Sequence, residues 1–305
     1  TREMAQQFHL DAVYGKQSVP VFKIRKNGPN HTVVDMLVKI MLRGKVEDSW
    51  LSGDNHQILP TETQKNTCYV LAQKTDYDAA ETYALSLAKD ILSRHAHISV
   101  VEVDVEERPW ERLVVNNKPH SHAFSKPRDP HKLTCKVVAP RDGPPTVTSG
   151  VKDLCLMKTT QSGFAGYIQD EYTTLQPTGA GSANPDRIMC TELEATWTWG
   201  SLPQNIREAN AGVLNQLLVM WSGDPVDGKF SKSVQETAYK MATEALILFP
   251  GLNEVYLATP NIHHYRSDLE QFGLRNPNVV FQSTDCHTTA SGRIETRVSR
   301  PRARL

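Results

Sequence analysis

"VVDMLVKIMLRG", residues 33–44, decides how the chain folds. Val34, Met36, Val38, Ile40 and Leu42 fall on one parity and Asp35, Lys39 and Arg43 on the other. That period of two puts apolar side chains on one face of a half-buried strand and polar ones on the other. Just upstream, Val19 to Arg25 is predicted to pair with it as a hairpin through "KNGPNH". Two helical segments follow. The first begins in "ILPTETQKNTCYVLA", residues 58–72. The second is "AAETYALSLAKDILSRHA", in which Tyr83, Ala84, Leu87, Ala88, Ile91, Leu92 and His95 form one helical stripe. Val101, Val103 and Val105 then alternate with Glu102, Asp104 and Glu106, and "KLTCKVVA" closes the first half. The order is ββααββ.

After the Pro/Gly/Ser/Thr-rich stretch "APRDGPPTVTSG", residues 139–150, which reads as a linker, the same order recurs. "VKDLCLMKT" precedes "TELEATWTW", where Leu193, Ala195, Trp197 and Trp199 share one parity. A helix with Ile206, Val213, Leu214, Leu217, Leu218 and Trp221 on a stripe is followed by another with Val234, Ala238, Met241, Ala242, Ala245, Leu246 and Phe249. "NEVYLAT" and "RIETRVS" finish as strands. Antiparallel sheets with helices on one face, an α+β architecture, are the layer solution for two such repeats. The divisions expected are an N-terminal arm (1–12), a first repeat (13–140), a linker (141–150), a second repeat (151–298) and a C-terminal tail (299–305). Each repeat has a helix opening on a capping-box pattern, Thr61-x-x-Gln64 and Ser233-x-x-Glu236. A capped helix N-terminus, with its unsatisfied N–H groups, suits an anion.

Composition sets the outer limits. The 305 residues, 39% hydrophobic, can bury a sizeable core, and 34 basic residues balance 34 acidic ones. With no global field to steer it, the chain is not expected to bind nucleic acid or a membrane, and any anionic ligand must be held locally. Five cysteines, odd in number and without a C-x-x-C pair, disfavour a disulfide framework and a zinc site. The first residues, "TREMAQQFHLDAVYGK", lack an apolar signal region, and no apolar run reaches the ~18 residues of a membrane span. Ala303-Arg304-Leu305 has the small-basic-leucine form of a peroxisomal address.

Several side chains could carry chemistry. Thr61 reads first as a cap. Lys16, in "VYGKQS", reads as a solvated lysine; buried beside Thr61 it would lose hydration, its pKa would fall, and it would serve as a base through the hydroxyl. The histidine pairs at 95/97, 120/122 and 263/264 lack H-E-x-x-H or facial-triad spacing, and His120 and His122 read as a hairpin edge. No metal is expected. "TGAGSANP", residues 178–185, lacks the lysine and spacing of a P-loop and reads as an insertion. Phe164, in "GFAGY", reads by itself as core, and Arg187 as surface charge.

"DLCLMKTTQSGFAGYIQDEYTTL", residues 153–175, closely resembles the signature of the urate oxidase (uricase) family. Further matches stand in family order: "YGK" at 14–16, "PTETQKNT" at 60–67, "DRI" at 186–188, "SVQ" at 233–235 and "PNIHHY" at 260–265. The resemblance implies the tunnelling fold (T-fold), with two ββαα-type repeats per chain, helices on the outer face, and four chains forming a barrel around a tunnel. It implies oxidation of urate by dioxygen and water to 5-hydroxyisourate and hydrogen peroxide, with no cofactor and no metal. Peroxide production fits the peroxisomal-looking tail, and with it an import receptor as partner. Carried over, Lys16 and the Thr61 hydroxyl are the base system and His263 completes a proton relay. Phe164 stacks on the purine, and Arg187 and Gln235 hold its polar edge. Thr61, Glu62 and Val234 also contact substrate, the latter two through backbone groups, and Asn261 holds dioxygen or water above the ring. Lys16 and Thr61 come from the neighbouring subunit, so the sites lie at subunit interfaces of a homotetramer. Three features depart from the family pattern: Glu62 where Asp is usual, a longer span from Leu175 to Arg187, and His264 where an aromatic is usual. The competing readings are another T-fold enzyme acting on purines or pterins, and a urate-binding protein without turnover.

Overall fold

The computed structural model describes residues 8–128, 130–178, 187–274 and 280–301. The peroxisomal-type tripeptide and all but the first residue of "TGAGSANP" lie outside them. The chain divides into two compact units, residues 1–150 with 198–208, and 151–197 with 209–305.

In the first unit, β1 (Tyr14–Asn27) and β2 (Asn30–Gly44) form the expected hairpin, turning at Gly28, whose φ of +55° is a left-handed value that glycine adopts without strain. A short α1 (Asp48–Leu51), then α2 (Thr61–Lys74) and α3 (Ala80–Arg94), lead to β3 (Ile98–Glu107). The hairpin of β4 (Glu111–Val115) and β5 (Lys118–Ser125) precedes β6 (Lys132–Pro140), and the sheet runs β1-β2-β3-β6, antiparallel throughout. Met36, Val38, Ile40 and Leu42 are fully buried, with Val101, Val103 and Val105 beside them and Tyr83, Leu87 and Ile91 of α3 in the same core. Each such aliphatic side chain contributes about 1.5–3 kcal/mol by leaving water. Tyr83 keeps its hydroxyl satisfied by donating to Cys68 O (2.9 Å), which ties α3 to α2.

The second half of the chain repeats the order: β7 (Thr146–Lys158), β8 (Met189–Trp199), α4 (Ile206–Ser222), α5 (Val234–Leu248), β9 (Leu252–Pro260), the small hairpin β10 (His264–Arg266) and β11 (Phe281–Ser283), and β12 (Arg293–Ser299). The strand order is β7-β8-β9-β12. Leu193, Ala195 and Trp197 are buried with Val213, Leu217, Met241 and Ala245, and the Trp197 indole donates to Asn210 Oδ1 (2.8 Å). No helix among the described residues is long and apolar enough to cross a membrane.

Four features differ from the sequence reading. Each unit carries an extra hairpin between its third and fourth strands, β4–β5 and β10–β11, too short or too polar to stand out by periodicity. Strand β7 already begins at Thr146, so the connection read as residues 139–150 shrinks to 141–145. Thr61 is not the cap of α2. Pro60 holds that position with φ −53° and ψ 140°, its ring fixing φ so that the chain enters the helix extended, and Thr61 is the exposed first residue. Gln64, the other half of the supposed box, is fully buried and donates to Leu59 O (3.1 Å). At α5 the pattern holds in one direction: Ser233 Oγ accepts from Glu236 N (3.1 Å), while the Glu236 carboxylate pairs with Lys240 (2.7 Å). Finally, Asp35, on the polar parity of β2, is 4% exposed. Trp110 Nε1 (3.1 Å), Lys126 Nζ (3.0 Å) and the Arg108 guanidinium all donate to its carboxylate, stapling both ends of the β4–β5 hairpin to the sheet.

Candidate active site

The peptide after β7 folds into a set of short backbone clasps. Gly163 N donates to Ser231 O (2.9 Å) and Ser231 N to Gln161 O (2.9 Å), which fastens this segment to the approach to α5. Arg187 N donates to Ser162 O (3.0 Å), and the Ser162 hydroxyl donates back to Arg187 O. Phe164 N reaches both the carbonyl and the hydroxyl of Thr178 (2.7 and 2.9 Å), and Thr178 N returns to Phe164 O (2.8 Å). The Phe164 ring stacks on Tyr167, centroids 4.9 Å apart and 11° from parallel. These clasps fix Phe164, Arg187 and the first turn of α5 with respect to one another.

They border a cleft of about 690 Å³ whose lining includes Phe164, Arg187, Val234, Gln235, Asn261 and His263, all in the second unit. Val234 and Gln235 open α5, where a helix leaves its N–H groups without internal partners. Asn261 is held by its own N–H on Gly292 O (2.7 Å) and by Ser291 Oγ donating to its carbonyl (2.6 Å). A side chain at residue 292 would crowd the Asn261 amide, since a Cβ there would lie 3.3 Å from Nδ2. His263 is clamped at both backbone groups by Thr284: its N–H donates to Oγ1 (2.8 Å), and its carbonyl accepts from Thr284 N (2.8 Å) and Oγ1 (3.1 Å).

The electrostatics of this cleft favour a neutral imidazole. Burial, then the Arg187 guanidinium and His264, all push the His263 pKa below its ordinary value. Burial also lowers that of Arg187, whose charge is therefore poorly hydrated and able to gain from an anionic partner. His264 also lines the cleft; its Nδ1 contacts Ile262 O (3.1 Å) and its ring meets Phe281 edge-on.

Lys16, Thr61 and Glu62 belong to the first unit. Lys16 sits at a bulge of β1, where the pairing register shifts between Lys16 and Val19 and Ser18 takes φ +57°. A Cβ at Gly15 would lie 1.8 Å from Ile40 O, so only glycine fits beside it. The Tyr14 hydroxyl accepts from Leu59 N (2.8 Å), which pins the start of β1 to the peptide entering α2 and holds Lys16 and Thr61 on linked segments. The Glu62 carboxylate pairs with Lys65 (2.7 Å); that hydrogen bond, with the Lys16 charge as a lesser cause, lowers its pKa.

A family model described as Uricase matches residues 12–136 and 147–291. The chain belongs to the uricase family. A uricase of Dictyostelium discoideum is 35% identical over 300 residues, covering 97% of this chain and 99% of that protein. One from Danio rerio is 33% identical over 293 residues, 96% and 95% of the two chains. The crystal structure of uricase from Arthrobacter globiformis superposes with a TM-score of 0.86 at 29% identity, covering 98% of this chain and 96% of that one. The α+β tunnelling fold is thus the fold of this uricase-family chain. Its cleft also depends on residues that the sequence did not single out individually, among them Ser162, Thr178 and Thr284. Each acts through a hydrogen bond to a backbone atom far along the chain, and no spacing or residue type announces such a bond.

Proposed function

We propose that the chain is a urate oxidase, converting urate, dioxygen and water to 5-hydroxyisourate and hydrogen peroxide. The observation that carries this reading is the convergence of Phe164, Arg187, Val234, Gln235, Asn261 and His263 on one cleft in a chain of the uricase family. An oxypurine is a flat anion with alternating donors and acceptors. The cleft offers an aromatic face, a guanidinium able to bind two acceptors at once, an amide that both donates and accepts, and helix-start N–H groups.

In this reading Lys16 and Thr61, with the backbone of Glu62, approach the bound urate from a neighbouring copy in a homotetramer. The occupied Glu62 carboxylate favours a backbone role for that residue, which makes its extra methylene over aspartate tolerable. The Lys16–Thr61 system removes a proton from urate, whose dianion is electron-rich enough to pass an electron to dioxygen held by Asn261 against the ring. Recombination gives a hydroperoxide. Water then attacks, His263 and Thr61 relaying protons, and hydrogen peroxide leaves. The oxidant is dioxygen and the reductant urate itself, so the chemistry calls on no cofactor. The protein contributes positioning and proton transfer, roughly 100- to 10,000-fold for each well-placed acid or base. A metal-stripped, full-length sample should consume urate aerobically, followed by the loss of its ultraviolet absorbance, and release one peroxide per dioxygen. Urate that binds without being consumed would refute the assignment.

A further inference from the structure

On β8, Glu192 follows two residues after Cys190 and points to the same side of the strand, away from buried Leu193. The loop between β11 and β12 brings Cys286 and His287 to it. His287 Nε2 lies 2.8 Å from Glu192 Oε1, and one ligand atom from each of Glu192, Cys286 and His287 lies within 4.8 Å of the other two. The loop is shaped for this. Asp285 Oδ1 accepts from His287 N (2.6 Å), and its carbonyl accepts from Thr289 N (3.2 Å), which closes a tight turn around Cys286. Two more thiols stand close by. Cys190 lies two residues before Glu192 on β8, and Cys155 interacts with it.

We propose that Glu192, Cys286 and His287 form a binding site for a borderline-soft divalent cation of the zinc type. One sulfur, one imidazole nitrogen and one carboxylate oxygen are the donors such an ion takes in tetrahedral geometry, leaving one position open. Calcium and magnesium call for more oxygens and no thiolate. The sequence hides this site because its ligands come from positions 192, 286 and 287, with no recognisable spacing. The site is joined to the cleft along the chain. Thr284, which clamps His263, is two residues from Cys286, so occupancy should shift the His263 segment; this last clause rests on the proposed function, whereas the binding does not.

Cobalt(II) is the probe. The reduced, metal-stripped full chain is titrated with it, watching for thiolate-to-cobalt charge transfer and tetrahedral d–d bands, and zinc is then added to displace them. One equivalent should bind. Cys286→Ser should abolish the charge-transfer band, and His287→Ala, at an exposed position, should weaken binding by roughly tenfold or more. Absence of stoichiometric binding, or bands unchanged in both variants, would overturn the proposal. Urate turnover measured with and without zinc tests the coupling separately, so an inactive protein that binds cobalt as described would count against the activity and leave the site standing.

Discussion

Replacing Asp35 by asparagine removes one charge and almost no volume, yet it should be among the most damaging single changes in the first unit. The carboxylate accepts from the Arg108 guanidinium on one oxygen and from Trp110 and Lys126 on the other. In Asp35→Asn the remaining oxygen can keep Arg108, but the amide nitrogen then faces the Trp110 N–H and the Lys126 ammonium, donor against donor. Hydrogen bonds to a charged group contribute about 1.5–3 kcal/mol each, and orphaning one partner of a buried pair costs about 3–5 kcal/mol. The Arg108 and Lys126 side chains are 28% and 37% exposed, so water recovers part of that loss. About 2–4 kcal/mol remains, equivalent to a fall in Tm of roughly 4–16 °C for a unit of this size.

The pH dependence gives a second handle. Burial by itself would raise the Asp35 pKa, but the bonds from Trp110, Lys126 and Arg108 outweigh it and hold the carboxyl below the usual carboxylate range. A depressed folded value means that the stabilisation is complete above the unfolded pKa of about 3.9 and is lost as pH falls through the folded one. Scanning calorimetry of both proteins at matched scan rates should therefore show a Tm gap that is constant from neutral pH to about 5 and narrows below about 4. A variant melting within a degree or two of the parent at neutral pH would show that the staple contributes nothing.

Other expectations concern the cleft. Lys16→Met should leave urate binding nearly intact while lowering turnover by about 100-fold or more; full turnover in that variant would remove Lys16 from the mechanism. Thr284→Val leaves the His263 N–H without its acceptor, a penalty of about 1–3 kcal/mol, so kcat should fall with KM little changed. In the parent, the depressed His263 pKa keeps the imidazole neutral to below the ordinary value of about 6.5. The acid limb of the kcat profile should move up in Thr284→Val as the ring relaxes toward water, and an unmoved limb would dissociate the clamp from catalysis. Ser233→Ala should cost about 1 kcal/mol of cap energy and raise KM for urate roughly fivefold by loosening the turn that bears Val234 and Gln235, with Ser233→Gly recovering most of the loss. Equal KM in all three proteins would separate the helix start from binding.

Much of the fold was legible because it rests on periodicity. The parity of residues 34–42 and the stripes around Leu87 and Met241 are local statements about which face is apolar, and burial has only to obey them. All nine residues singled out for the site were traceable through short motifs, and six of them meet at one cleft. What the sequence could not show is where a polar group goes when its partner is remote. Parity put Asp35 on the solvent side of β2; the structure buries it, because a hairpin about 75 residues later delivers three donors. Thr61 carried every local mark of a cap, but Pro60 sets the helix entry and leaves the hydroxyl exposed for another use. Glu192, Cys286 and His287 are unremarkable in sequence and adjacent in space. Hydrophobic pattern is a property of neighbours along the chain, and so the sequence alone determined the two repeats. Hydrogen bonds and ligand sets are properties of neighbours in space, and these the tertiary structure decided.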